Sequence, residues 1–267
     1  MAPMGDTNTI RILREPAVYL LGRQVINEAE LDRFLADHQV GHWETDSEIA
    51  SEVLCETAGR VCYMSFAKPR PGGNSAYLGH IMEVGHGSVL EHAVWNFIIA
   101  NVSRSFTHEL VRHRAGFGYS QLSQRYVDES VAEYVEPDVI AKDSELHALW
   151  LDAISQAHRA YVTLAEKLQA KFADDPDKTA RRKKAREAAR SVLPNATETK
   201  IVVTANARAL RHFLEMRGSR FAEPEIRKVA NRLLDILAAE SPNLFGDYKR
   251  EPLPDGTFEI VTDFRKV

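Results

Sequence analysis

The stretch "VRHRAGFGYSQLSQRY", residues 111 to 126, places Arg112, His113, Arg114 and Arg125 close together, with Gln121 and Ser123 beside the last of them. Adjacent like charges repel, so such a run suits a place where an anion binds. Guanidinium forks match phosphate, and the amide and hydroxyl suit a planar, amide-like ring. Just upstream, "SRSFTHELVRHR" reads as a helix on which Arg104, His108 and Arg112 recur every four residues and share one face. Glu109, one step round, is within reach of Arg112 or His113. Charge runs are commonly solvated faces. Here the cluster follows the apolar strand "HAVWNFIIANV", which sets it near the core, and it continues into a glycine-containing turn that ends in further donors.

Two more segments carry candidates. In "GHGSVLEH", Ser88 and Glu91 have capping-box spacing, which explains both residues structurally, and His86 and His92 make no metal signature. In "REAARSVLPNATETKIVVTANARALRHFLEMRGS", Arg190 precedes a proline stop, while Asn206, Arg208, His212 and Arg217 lie on a helix after a strand. Arg217 falls at that helix's C-terminus, where the dipole favours a cation in any case. No dinucleotide fingerprint, P-loop or nucleophile elbow is present. Ser123 has Gln121 and Arg125 as neighbours, neither a base, so it does not read as a nucleophile. Cys55 and Cys62 form neither a disulfide framework nor a zinc pattern. Cys62, in "GRVCYMSF", reads as a small core residue.

The elements that must position these residues follow from periodicity. Residues 1 to 15 read as frayed. "PAVYLLGRQVI" reads as a strand and "NEAELDRFLADHQ" as a helix capped by Asn27. "DSEIASEVLCETAGRVCYMSF" has helical spacing broken by Gly59, "AKPRPGGNS" is a loop, and "SAYLGHIMEVGHG" is a helix. A long helix spans about 143 to 173 and a basic helix stops before Pro194. "TETKIVVTANA" is a strand, followed by the helices "NARALRHFLEMRG" and "PEIRKVANRLLDILAAESP". No linker or repeat divides the chain, so residues 1–267 read as one α+β domain with a mixed sheet packed against helices.

Composition only bounds the answer. A net charge of −4 over 267 residues argues against a general attraction to nucleic acid or an anionic membrane, so any anion site is local. The first residues lack the apolar core of a signal peptide, and no stretch approaches the roughly 18 apolar residues of a membrane span. Together with the unpaired cysteines this predicts a cytoplasmic setting.

The stretch "RHRAGFGYSQLSQRY" resembles the signature of the flavin-dependent thymidylate synthases. "GHGSVLEH" and "ARSVLP…NARALRHFLEMR" resemble two further segments of that family, in the same order, and the likeness runs from about Gly59 to Phe245. The resemblance implies a homotetramer with active sites shared between subunits. It also implies C5-methylation of dUMP or UMP, with methylenetetrahydrofolate as carbon donor and NADPH as reductant through bound FAD. It assigns Arg104, Glu109, Gln121, Ser123, Arg125, Arg190 and Arg217 to the nucleotide, with Ser123, Arg217 and Glu109 nearest the chemistry. It assigns His86, Ser88, Glu91, Arg112, His113, Arg114, Asn206 and His212 to FAD, and no metal. His212 stands where some members have Asn. Eight residues separate Arg114 from Ser123, one more than the family's pattern, and Gly116 and Gly118 can absorb the extra one. That insertion raises UMP as a substrate beside dUMP. The competing classes are an FAD-binding NADPH oxidase and a basic-patch nucleic-acid binder.

Overall fold

Alternating large apolar side chains make Val94–Ser103 a strand with Trp95, Phe97 and Ile99 turned into the core. A computed structural model describes residues 10–68 and 71–265, and its elements follow in chain order. They begin with β1 (Arg11–Leu13), β2 (Ala17–Arg23), α1 (Glu28–Asp37), α2 (Ala50–Tyr63), α3 (Gly73–Glu83), β3 (Val94–Ser103), α4 (Arg104–Leu110), β4 (Phe117–Gln121) and β5 (Glu133–Val135). They continue with α5 (Asp138–Ala141), α6 (Ser144–Lys171), α7 (Lys178–Ala189), β6 (Glu198–Asn206), α8 (Ala207–Arg217), α9 (Pro224–Glu240), α10 (Pro242–Phe245), β7 (Lys249–Pro252) and β8 (Phe258–Val261). Three short 3-10 turns cover Gly87–His92, Glu129–Val131 and Arg190–Val192. Helices and strands are mixed, as the α+β reading expects. Among the described residues the strands form three sheets: a parallel β1–β5 pair, a four-stranded sheet in the order β2-β3-β6-β4, and the antiparallel β7–β8 hairpin.

The chain gathers into two compact units. The first comprises the residues up to Ala17, Ile99–Glu109 and Ser120–Ile201; the second comprises Val18–Ile98, Leu110–Tyr119 and Val202 onward. In the first, α6 and α7 close over Tyr161, Ala165 and Ala189. Asp143 and Asp177 cap these helices by accepting backbone N–H groups of their first turns. In the second, Trp95 packs edge-on against Phe245 at 5.6 Å, and Phe213, Leu214, Val229 and Leu237 are fully buried around them. Arg211 and Arg227 are both fully buried there; Arg211 Nη1 donates to the Leu244 carbonyl at 2.6 Å and to Asp247 at 2.7 Å, and Nη2 donates to Asp247 at 2.8 Å.

Several expectations change. Residues 11–13 are not frayed but pair with β5, because Arg11–Leu13 takes parallel register with Glu133–Val135; residues 1–9 lie outside the described residues. Gly59 does not break α2. It stays helical, and the missing side chain makes room for the Tyr77 hydroxyl. Helix α4 stops at Leu110, so Arg112 lies on the following turn and not on one face with Arg104 and His108. The glycine-containing segment after it is partly strand β4. "GHGSVLEH" forms a 3-10 turn with no side-chain cap, so the Ser88–Glu91 capping box is not made. Cys62 is exposed; the buried cysteine is Cys55, whose thiol is pushed up to about 12, chiefly by burial.

Replacing Arg211 by Met strands Asp247 in the interior. Arg211→Met is therefore expected to cost about 3–5 kcal/mol, read as a lower urea midpoint with unchanged slope.

Candidate active site

In the second unit, helix α4 ends because its last carbonyl is taken by other donors. The Leu110 oxygen accepts from the His113 N–H at 3.0 Å. The Tyr119 hydroxyl donates to the His113 carbonyl at 2.6 Å, with the Leu110 carbonyl 3.0 Å away. The chain therefore turns at Arg112–Arg114. Helix α8 starts at the cap residue Asn206, whose Oδ1 accepts from the Ala209 N–H at 2.9 Å. The Asn206 N–H donates to the Gly116 carbonyl at 3.1 Å, which seats the turn against the helix start. Gly116 has φ +74°, and a Cβ there would meet the Asn206 amide at 2.7 Å and the Ala209 Cβ at 2.8 Å. Both the backbone conformation and the close approach require glycine.

Turn and helix enclose a cavity of about 330 Å³ lined by Arg112, His113, Arg114, Ala115, Phe117, Ala209, His212, Met216 and Arg217. Arg217 Nε donates to His113 Nε2 at 2.9 Å, so that nitrogen is an acceptor and the imidazole is neutral with its proton on Nδ1. Burial, then the positive charges of Arg217, His212 and Arg112, lowers the His113 pKa to about 4. The His113 ring lies 5.2 Å from Phe213 and 5.9 Å from both His212 and Phe117, and Phe117 stacks on Tyr119 at 5.7 Å. A cationic rim over aromatic walls suits a planar anionic ligand.

The cavity thus unites Arg112, His113, Arg114, His212 and Arg217, with Asn206 capping the helix behind it. His86, Ser88 and Glu91 do not line it: all three are exposed, His86 stacks on Tyr63, and Glu91 pairs with Arg208 at 2.6 Å. Phe117 and Met216 are lining residues that sequence reasoning did not single out. Met216 follows Arg208 and His212 in steps of four along the exposed side of α8, a spacing visible in the sequence.

In the first unit, Arg104 opens α4, where its N–H donates to the Thr197 carbonyl at 3.0 Å. Its guanidinium is half-buried, and its Nη1 has no hydrogen-bond partner. Burial, opposed by Glu129 and aided by the like charge of Arg190, holds it below the usual arginine range. Arg104 and Arg190 are therefore neighbours of like charge. Glu129 was not anticipated: nothing in "RYVDESVAEYV" marks it. It is buried with Oε1 unpartnered. Burial, then the charge of Glu198, raises its carboxyl to about 7 against the attraction of Arg104 and Lys200. Gln121 donates to Thr107 and Thr199 at 3.1 and 3.3 Å. The Ser123 hydroxyl accepts from the Arg125 N–H at 3.4 Å and hydrogen-bonds no base among the described residues. Arg125 is engaged by Glu187 rather than by any residue of the Arg104 group. Glu109 is half-buried at the end of this unit's second stretch. Among the described residues, no three His, Cys, Asp or Glu side chains cluster to hold a metal, and no helix is long and apolar enough to cross a membrane.

The two shifted groups have opposite signatures. The folded pKa of Glu129 is raised, so its protonated form favours the fold, and stability falls as pH rises from about 4.3 to about 7. The folded pKa of His113 is lowered, so stability falls as pH drops from about 6.5 to about 4. Thermal melts should show Glu129→Gln gaining on wild type between pH 5 and pH 8, and His113→Gln gaining between pH 7 and pH 5. Gly116→Ala, which strains the turn against Asn206, should lower stability by about 1–3 kcal/mol in the same melts.

The family model for "thymidylate synthase complementing protein" matches residues 46–243. A flavin-dependent thymidylate synthase of Mycolicibacterium gilvum is 52% identical over 222 residues, covering 82% of this chain and 88% of that protein. The Mycobacterium tuberculosis protein of the same name is 51% identical over 231 residues, covering 86% and 91%. Among solved structures, the fold is similar to that of the UMP/dUMP methylase PolB from Streptomyces cacaoi bound with 5-Br dUMP. The TM-score is 0.62 at 20% identity, over 89% of this chain and 96% of that one. The same methylase bound with 5-Br UMP gives 0.60 at 21% identity, over 89% and 95%. An arginine-ringed cavity beside a neutral histidine, the matched family model and half-identical relatives over most of the chain lead to one assignment: this protein is a methyltransferase of the flavin-dependent thymidylate synthase family.

Proposed function

We propose that the enzyme methylates C5 of a uridine 5′-monophosphate nucleotide, dUMP before UMP, using bound FAD, methylenetetrahydrofolate as carbon donor and NADPH as reductant. The observation that carries this reading is the cationic cavity around the His113–Arg217 hydrogen bond. Its donor set fits a flavin: three arginines for anionic groups, a neutral imidazole, and the aromatic ring of Phe117. Arg112, His113, Arg114 and His212 would hold the flavin, with Asn206 fixing the helix start beneath it, and His86, Ser88 and Glu91 meeting it from a separate segment. When bound, FAD supplies the hydride that reduces the transferred carbon.

The chain's own groups bind and polarise. Arg104, Arg190 and Arg125 take the nucleotide phosphate, for which guanidinium forks are suited. Gln121 and Ser123 orient the nucleotide, with Glu109 near the reacting ring. Arg217 contacts a uracil carbonyl and stabilises negative charge on the ring as the reaction proceeds. Neutral His113 keeps Arg217 turned into the cavity, because a protonated imidazole would repel it. In a homotetramer these groups come together from different subunits. Residues 1–267 then act as one catalytic domain.

The deoxynucleotide is placed first because the relatives sharing about half their residues with this chain are named thymidylate synthases. UMP is kept second for the inserted residue before Ser123. The test is flavin loading followed by kcat/KM for dUMP and UMP at saturating folate and NADPH. A ratio of a hundredfold or more for dUMP, about 2.7 kcal/mol of discrimination, is expected. Equal values would make UMP a substrate in its own right. Flavin-dependent NADPH oxidation without methylated product would replace the proposal by an oxidase. Salt-sensitive oligonucleotide binding without flavin would replace it by a nucleic-acid binder.

A further inference from the structure

Helix α7 is a run of cations with a single acid, Glu187, among Lys178, Arg181, Arg182, Lys183, Lys184 and Arg186. Lys183, four residues back, is in ion-pair range along the helix. Glu187 pairs instead with Arg125, 62 residues away in sequence. The Nε and Nη2 atoms of Arg125 both lie 2.8 Å from one oxygen, Glu187 Oε2. Neighbours on the same side of α7 hold the same segment. Arg186 donates to the Tyr126 carbonyl and to Asp128, both at 2.7 Å, and the Lys183 ammonium lies 4.9 Å over the Tyr126 ring. Positions 186 and 187 follow 183 by three and four residues and so flank it on one side of the helix, and together the three grip residues 125–128.

We infer that Glu187 is a positioning residue for the nucleotide phosphate, holding Arg125 by its Nε–Nη2 edge so that its outer edge faces the anion. The inference rests on the reading of Arg125 as a phosphate ligand. A guanidinium has five N–H donors in a planar fork. Glu187 takes two of them through one oxygen and leaves three, including the Nη1–Nη2 edge that receives a phosphate in two parallel bonds. A carboxylate that only competed with phosphate would occupy that outer edge. Two effects of the carboxylate oppose each other. It orders a long, partly exposed side chain, and its negative charge weakens the local pull on a dianion. The pair is exposed, where salt and water screen the charge effect, so ordering decides the sign.

The test uses the FAD-loaded enzyme and initial rates with dUMP for wild type, Arg125→Ala, Glu187→Ala, Glu187→Gln and the Arg125→Ala/Glu187→Ala double variant. Glu187→Ala is expected to raise the nucleotide KM about three- to fivefold, the scale of an exposed pair, with kcat and flavin content unchanged. Glu187→Gln, which keeps an acceptor oxygen, should recover most of that loss. The double variant should be no worse than Arg125→Ala alone, because Glu187 acts only through Arg125. A KM that is unchanged or lower in Glu187→Ala, while Arg125→Ala raises it, overturns the positioning role. So does an additive double variant. An Arg125→Ala enzyme with normal KM is a separate result: it removes Arg125 from the phosphate, and Glu187's role with it.

Discussion

The hydrogen bond from Arg217 to His113 sets the terms for the cavity. It exists only while the imidazole is neutral, and the surroundings enforce that state: burial, then the neighbours Arg217, His212 and Arg112, disfavour a further charge. The same bond ties the C-terminal end of α8 to the turn after α4. That turn needs Tyr119 to take its carbonyls, and the start of α8 needs Asn206 as cap and Gly116 without a side chain. Loosening any of these moves the acceptor away from the guanidinium. A cation cluster that would be self-repelling in water is thus held open by one uncharged residue. Phe213, fully buried on the inner face of α8, packs against the His113 ring and holds it in place.

The first unit solves a related problem differently. Arg104 and Arg190 are neighbours of like charge, and the nearby acid, Glu129, is pushed towards its neutral form at physiological pH. A single ionised glutamate would offset half the charge of the arginine pair. A half-protonated one offsets less, so more of the pair's positive field remains. Glu198 is buried too, but it is satisfied by the Asn101 N–H and by Lys200, at 2.9 and 2.8 Å. Two buried acids a short way apart therefore differ in their hydrogen-bond partners, and Glu129 is the one with an unpartnered oxygen.

Much of this was legible where periodicity is strong and long. Helix α6, strand β3, strand β6 and helix α8 follow from apolar spacing and cap residues, because packing agrees with local propensity there. The arginine-rich stretch and the cations of α8 pointed to an anion site for reasons of charge alone. Other features are decided by distant partners. Helix α4 looks helical through Arg114, yet a tyrosine hydroxyl from β4 ends it at Leu110. Ser88 and Glu91 have capping-box spacing, yet a 3-10 turn puts both in solvent. β1 is three residues long and exists only through its pairing with β5. Glu187 left a trace, a lone acid in a basic helix, but its partner Arg125 could only be found in space.

The inserted residue shows how far such partners confine a local change. Ala115 lines the cavity and Gly116 sits on the start of α8, so the residues between Arg114 and β4 are confined by both. Strand β4 begins at Phe117, and its register carries the chain to Gln121 before Ser123 is reached. Four strand steps at about 3.3 Å each set roughly 13 Å between Phe117 and Gln121. A hydrogen-bonded strand transmits a slip by flipping every side chain to the other face. Tyr119 is held on the His113 carbonyl and Gln121 on Thr107 and Thr199, which pins the register of β4. Ala115 and Phe117, on either side of Gly116, line the cavity beside the arginines and the neutral histidine, so a change of length in this loop acts first on that cavity. Any effect of the added residue on sugar preference therefore has to pass through that pinned strand to reach Gln121 and Ser123.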